Sequence, residues 1–265
     1  MRAFRLAYDG APFHGFQRQP DVPTVEDALF AALARLDLAA PDESKPPGYS
    51  SAGRTDAGVS ALAQTVAFEC PDWCSPSALN GELPDSIRAW AAADVAEDFH
   101  AGLDARRREY VYHLHAPDVT DDRLADAAHR LSGEHDFHNL TADDSGTVRD
   151  LTIDVRRDGD FVAVTVSTDG FPRQLVRRLV TLLAEVGTGE RSLDDANRVL
   201  APEPLPGPAG VGPAPAHPLV LATVEYDVAF AVDPDAAALA RAVFADSRDE
   251  HRGRARVAGS IADGI

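Results

Sequence analysis

The sequence predicts an α+β protein made of two similar halves, each a largely antiparallel sheet with its helices on one face. Three observations lead there. Short runs that alternate apolar and polar residues are interleaved with runs whose apolar residues recur at helical spacing. Over residues 2–95 the order is strand, helix, strand, strand, helix, strand. A similar order returns after residue 105, and in an α+β fold such a repeat places two sheets side by side. A chain of 265 residues, 45% of them hydrophobic, has enough apolar material to give both halves a core.

Residues 2–8 read as the first strand and run into the turn dipeptide Asp9-Gly10. The segment TVEDALFAALARL sets Val25, Ala28, Leu29, Ala32, Leu33 and Leu36 on one stripe, with Thr24 as N-cap and Asp27 in the first turn, and predicts a helix. Residues 39–48, rich in Pro, Asp and Gly, form a linker. Strand character returns on both sides of the loop GRTDAG, most clearly in AQTVAFE, followed by a short helix near 75–82 and a strand in IRAWAAADV. In the second half EYVYHLH is a strand, and TDDRLADAAHRLSG is a helix with Thr120 as cap and Gly133 as stop. RDLTIDVRRDGDFVAVTVST is a hairpin turning at RDGD. RQLVRRLVTLLAEVG is the strongest helix, its stripe formed by Leu175, Leu179, Leu182, Leu183 and Val186 and its stop by Gly187. The Pro- and Gly-rich stretch 201–218 reads as a wrapped surface loop, LVLATVEYDV as the closing strand, and residues 235–246 as an amphipathic helix before an Arg-containing, loose tail. The expected units are therefore 1–104, 105–232 and 233–265.

Composition narrows the setting. No stretch approaches the roughly 18–20 apolar residues of a bilayer span, and MRAFRLAYDG lacks the apolar block of a secretory signal, so a cytoplasmic protein without membrane contact is expected. Cys70 and Cys74 imply no disulfide framework, and no second ligand pair accompanies them; His135 and His138 also lack companions at ligand spacing, so no metal is expected. The formal charge is −18, and Lys45 is the only lysine. Such an acidic chain suits a cytosol of very high salt, where screening tempers self-repulsion. At about 1 M salt the screening length is ~3 Å, so an acidic total does not exclude an RNA partner and local arginines decide.

The loop GRTDAG presents Asp56 between Gly53 and Gly58, either as a solvated turn or as a carboxylate held for chemistry. Arg177 lies off the apolar stripe of its helix, four residues after Arg173, and is free to leave the core for a cleft or simply to face solvent. Tyr110 and Tyr112 share strand parity, which alone does not separate a functional tyrosine from a packing one. Arg106, Arg107 and Arg108 form the densest basic patch. A G-x-x-x-x-G-K-[ST] phosphate loop is missing, which weighs against a small-molecule enzyme that grips a nucleotide in that way.

GRTDAGVSALAQTVAF closely resembles the signature of the TruA family of tRNA pseudouridine synthases, in a haloarchaeal-type chain. YDGAPFHGFQRQP, FHAGLDARRREYVYHL, LSGEHDF and FPRQLVRRLVTLLAEVGTGE match further family landmarks in order, from residue 2 to about 228. The resemblance implies the pseudouridine synthase fold: two ferredoxin-like halves whose antiparallel sheets join side by side across a central RNA-binding cleft. It implies isomerisation of uridine to pseudouridine in the anticodon arm of tRNA, no cofactor, and a homodimer in which each tRNA touches both subunits. It makes Asp56 the catalytic carboxylate, Tyr110 the active-site tyrosine, Arg177 the carboxylate's partner and Arg54 a residue that helps displace the target nucleotide. Arg18, Arg106, Arg107, Arg108, Arg173 and Arg178 become candidate RNA contacts. Ser60 stands where the family often has His, and the helix and tail beyond 233 replace a usual short ending. A tRNA-binding chaperone that kept the fold without turnover is the alternative, and the intact set Arg54, Asp56, Tyr110 and Arg177 counts against it.

Overall fold

The computed structural model describes residues 1–39, 45–205 and 210–265. The first half runs β1 (Arg2–Tyr8), α1 (Val25–Arg35), β2 (Ser50–Ser51), β3 (Ser60–Phe68), α2 (Pro76–Asn80) and β4 (Ile87–Asp94). The second runs β5 (Arg107–His115), α3 (Asp121–Leu131), β6 (Gly133–Asp136), β7 (Val148–Asp158), β8 (Phe161–Thr168), α4 (Leu175–Thr188), α5 (Leu193–Val199) and β9 (Leu219–Glu225). β10 (Ala231–Val232) and α6 (Pro234–Asp263) follow.

Alternation in β1 and β3 sends Phe4, Leu6, Val66 and Phe68 to one face, where Leu29 and Leu33 of α1 cover them. In the second half Val162, Val164 and Val166 of β8 meet the stripe of α4 that begins at Leu175 and Leu179. In space the first half reads β4-β1-β3-β2 and the second β9-β5-β8-β7, with β6 outside β7. Each half thus repeats one order of its four main strands, the ferredoxin-like pattern expected from the sequence. The halves meet where β9 lies parallel to the start of β3, through Ser60↔Val220 and Ala61↔Leu221, while β2 takes the other end of the same β3 edge. This short seam makes one ten-stranded sheet and brings the GRTDAG loop, just before β3, beside the second half. Tyr110 packs against the cores of both halves.

Several local readings change. Gln174 adopts a left-handed φ of 59°, so α4 begins at Leu175 and Arg173 precedes the helix instead of sharing its face with Arg177. Gly187 is not the stop: it lies inside α4, and Gly189, at φ 84°, ends the helix. What Gly187 provides is room, since a Cβ there would meet Val119 Cγ1 at 2.5 Å. Gly187→Ala is therefore expected to destabilise the fold by about 1–3 kcal/mol, as overpacking does, read as a lower urea midpoint at an unchanged slope. Thr120 sits at the α3 cap position but its side chain makes no capping hydrogen bond.

The segment beyond 246 is not loose coil. α6 continues to Asp263, because Ala and Arg are good helix formers and pairs such as Arg254–Glu250 at 2.6 Å bridge successive turns. Its buried residues, Ala236, Ala237 and Ala240, lie near its start, where it packs on β4 and α2. Of the expected linker 39–48, residues 40–44 lie outside the described residues, as do 206–209 of the Pro- and Gly-rich loop. The part of that loop after 210 is fastened to α4: Val211 and Ala214 accept hydrogen bonds from Arg178 and Arg177. No described helix is long and apolar enough to cross a membrane.

Candidate active site

The loop from Ala52 to Val59 is fixed by its neighbours before any substrate arrives. Ala52 N–H donates to Thr65 O at 2.8 Å and the Gln64 amide to Gly53 O at 2.8 Å, anchoring its start on β3. Tyr8, buried at the end of β1, shares a 2.8 Å hydrogen bond with the Thr55 hydroxyl. Phe16 N–H donates to Thr55 O and Gly58 N–H to Phe13 O, so residues 13–16 brace the loop from the other side. This close approach needs glycine: a Cβ on Gly10 would stand 2.2 Å from Val59 O, and one on Gly15, at φ 97°, 2.9 Å from Thr55 O. Within the loop only Gly58, at φ 79°, uses positive φ; Gly53 does not and has open space where a Cβ would be. Ser60 Oγ accepts from Gly10 N–H at 3.0 Å, so the residue that departs from the family pattern helps hold this wall.

So braced, Asp56 points across the seam. Its Oδ2 accepts from Arg177 Nη1 at 3.2 Å, and Arg177 Nε donates to Ala214 O at 2.7 Å, which aims the guanidinium. The two side chains are 31% and 15% exposed, protected enough for their charges to matter and open enough for a substrate to reach them. Tyr110 stands beside the pair, its ring edge-on to Phe171 with centroids 5.1 Å apart. Burial pushes the Tyr110 phenol up from its ordinary range, and the nearby Asp56 charge adds to that, so the hydroxyl stays a neutral donor. Tyr112, of the same parity, is a core residue packed in the second half. These groups share a cleft of about 1230 Å³ between the halves.

The arginines separate. Arg54 is exposed at the cleft wall with no partner among the described residues. Arg173 lines the cleft, 69% exposed, and stands 3.6 Å from Asp143. Arg149, which sequence reasoning missed, also lines it and is oriented by Gly170 O at 2.6 Å; as one charge at the start of a half-exposed strand it carries no local signal. Arg178 is corrected as a candidate RNA contact: it is 9% exposed and donates to Val211 O and to Gln174 Oε1, inside the fold. Arg106, paired with Asp227, and Arg107, bonded to Ser167 Oγ, line a smaller depression of about 430 Å³ that adjoins the cleft at Arg149. Arg18 is ion-paired with Asp27 at 2.8 Å, over the ring of Phe30, while its neighbours Gln17 and Gln19 line the cleft. Arg108 reaches the cleft, but backbone carbonyls take up its guanidinium.

Two ferredoxin-like halves in one sheet, with a braced carboxylate at their seam, define the pseudouridine synthase fold. Residues 127–227 match a family model described as tRNA pseudouridine synthase. The chain is 55% identical to tRNA pseudouridine synthase A of Haloarcula marismortui over 275 residues, covering 100% of each chain. It is 56% identical to the protein of the same name from Halobacterium salinarum over 264 residues, covering 98% of each. The chain belongs to the tRNA pseudouridine synthase A family. Among solved structures, a Cbf5–Nop10–Gar1 complex is similar at 17% identity and a TM-score of 0.39, over 70% of this chain and 45% of that one.

Proposed function

We propose that this protein isomerises uridine to pseudouridine in the anticodon arm of tRNA, with Asp56 as its catalytic carboxylate, acting in the cytoplasm as a homodimer. The observation that carries the reading is the Asp56–Arg177 contact at 3.2 Å, made across the two halves beside Tyr110. The reaction breaks the bond from ribose to N1, turns the freed uracil and rejoins it through C5. Electrons neither enter nor leave, so no redox cofactor is required.

The parts fit those steps. A uridine in a paired or stacked arm must first leave its stack, at a cost of a few kcal/mol that protein contacts offset. Arg54, exposed on the cleft wall and without a partner among the described residues, is placed to fill the gap or hold a phosphate. Asp56 then acts as nucleophile or base at the extruded nucleotide, and Arg177 keeps its charge and direction. Tyr110 packs on the base, and its neutral hydroxyl donates to a water that carries away the proton leaving C5, while N1 of the rejoined base gains one from solvent. Arg149 and Arg173, on the opposite wall, meet the RNA backbone.

Mapping pseudouridine in tRNA from cells lacking this protein tests the reading. The expected result is the loss of specific anticodon-arm signals, restored by the wild-type chain. Unchanged signals together with misfolded tRNA would instead favour a chaperone of the same fold.

A further inference from the structure

Arg108 lies on β5 two residues before Tyr110 and, against β8, in unbroken register with it: Arg108↔Thr168 and Tyr110↔Val166. Its Nε and Nη2 donate to Ala52 O at 3.0 and 2.7 Å, Nη2 also to Gly102 O at 2.6 Å, and Nη1 to Asp169 O. No carboxylate among the described residues forms an ion pair with it. The three acceptors belong to three separate segments. Ala52 begins the loop that ends in Asp56. Gly102 lies in the connection between the halves, pressed on the first half so closely that a Cβ would stand 2.9 Å from Ser51 O. Asp169 begins the turn that carries Phe171 and Arg173 and leads to Arg177. The sheet itself joins the halves through only two residue pairs of β3 and β9 on that edge.

We propose that Arg108 is a positioning residue that sets the width of the cleft, and with it the placement of Asp56 relative to Tyr110 and Arg177, and that it makes no phosphate contact. A guanidinium suits this because its donors project in a fixed planar fork and so reach several carbonyls from one position. A lysine ammonium is a single point and cannot span the same three. Misplacement of reacting groups by about 1 Å costs on the order of 10²-fold in rate, so a loosened tie appears in the chemical step more than in affinity.

The inference rests on the proposed isomerisation, and its test separates the two. Arg108→Lys and Arg108→Gln, checked for native circular dichroism, are compared with wild type for tRNA binding across a salt series and for tritium release from C5-labelled tRNA under single-turnover conditions. Both variants are expected to lose roughly 10²-fold in single-turnover rate while affinity and its salt dependence stay near wild type. Gly102→Ala, which disturbs one acceptor while leaving the arginine, is expected to slow the same step by less. A salt slope reduced by about one in either Arg108 variant, with near-normal turnover in Arg108→Lys, identifies a phosphate contact and overturns the proposal. Should wild type itself release no tritium, the isomerase reading fails, while the salt slopes still report whether Arg108 touches RNA.

Discussion

Asp56→Asn is expected to abolish pseudouridine formation, with a rate loss of about 10⁴-fold or more, while tRNA affinity stays at or slightly above the wild-type value. Asparagine keeps the volume of aspartate and an oxygen that can still accept from Arg177, so the brace formed by Tyr8, Thr55, Phe13 and Phe16 is undisturbed. What disappears is the negative charge and the lone pairs of an ionised carboxylate, on which the proposed chemical step depends. The sign of the affinity change follows from charge: one fewer anion in the cleft no longer repels RNA phosphates. Tritium release from C5-labelled tRNA, with filter binding in parallel, reads both quantities. Turnover in the variant near that of wild type would assign the chemistry to another group.

Arg177→Ala is the second large effect, expected to slow the chemical step by roughly 10²–10³-fold, as loss of one preorganised donor does. The guanidinium serves two acceptors, Asp56 Oδ2 at 3.2 Å and Ala214 O at 2.7 Å. Its removal leaves a partly buried carboxylate without its counter-charge and takes away one tie between α4 and the loop at 214, the bond from Ala214 N–H to Arg177 O at 3.0 Å remaining. Arg177→Lys keeps a charge but cannot hold both partners in one plane, so its rate should fall between the two. The order wild type, Arg177→Lys, Arg177→Ala in single-turnover rate, at similar tRNA affinity, is the expected pattern. A defect confined to affinity would make Arg177 a phosphate ligand instead.

Features written in local patterns were legible in the sequence. The β7–β8 hairpin turns at Gly159, and the apolar stripe of α4 faces the core where its spacing placed it. α5 escaped notice because seven residues show too little periodicity, although Ser192 and Asp195 carry the local signal of a reciprocal cap. Long-range facts left no such trace. The seam pairs Ser60 with Val220 in parallel, and nothing local encodes a meeting of residues so far apart.

The site divides in the same way. Asp56 was recognisable from its motif, and Tyr110 was separated from Tyr112 only by family resemblance, since strand parity is shared. Adjacent arginines on one helix differ by a rotation of about 100°: Arg177 turns to Asp56, whereas Arg178 turns under the loop at Val211, which helical spacing cannot foresee. The run Arg106–Arg108 looked like one basic patch. In the fold Arg106 and Arg107 line one depression, while Arg108 lines the cleft and ties its walls together.

A structure of the Asp56→Asn protein bound to substrate tRNA tests the central claim most directly. The predicted result is one anticodon-arm uridine turned out of its stack, with its ribose or uracil about 3–3.5 Å from the side chain at 56, Tyr110 against the base and Arg54 at the vacated position. A uridine still stacked in the arm, or one extruded into a pocket away from Asp56 and Arg177, would contradict it.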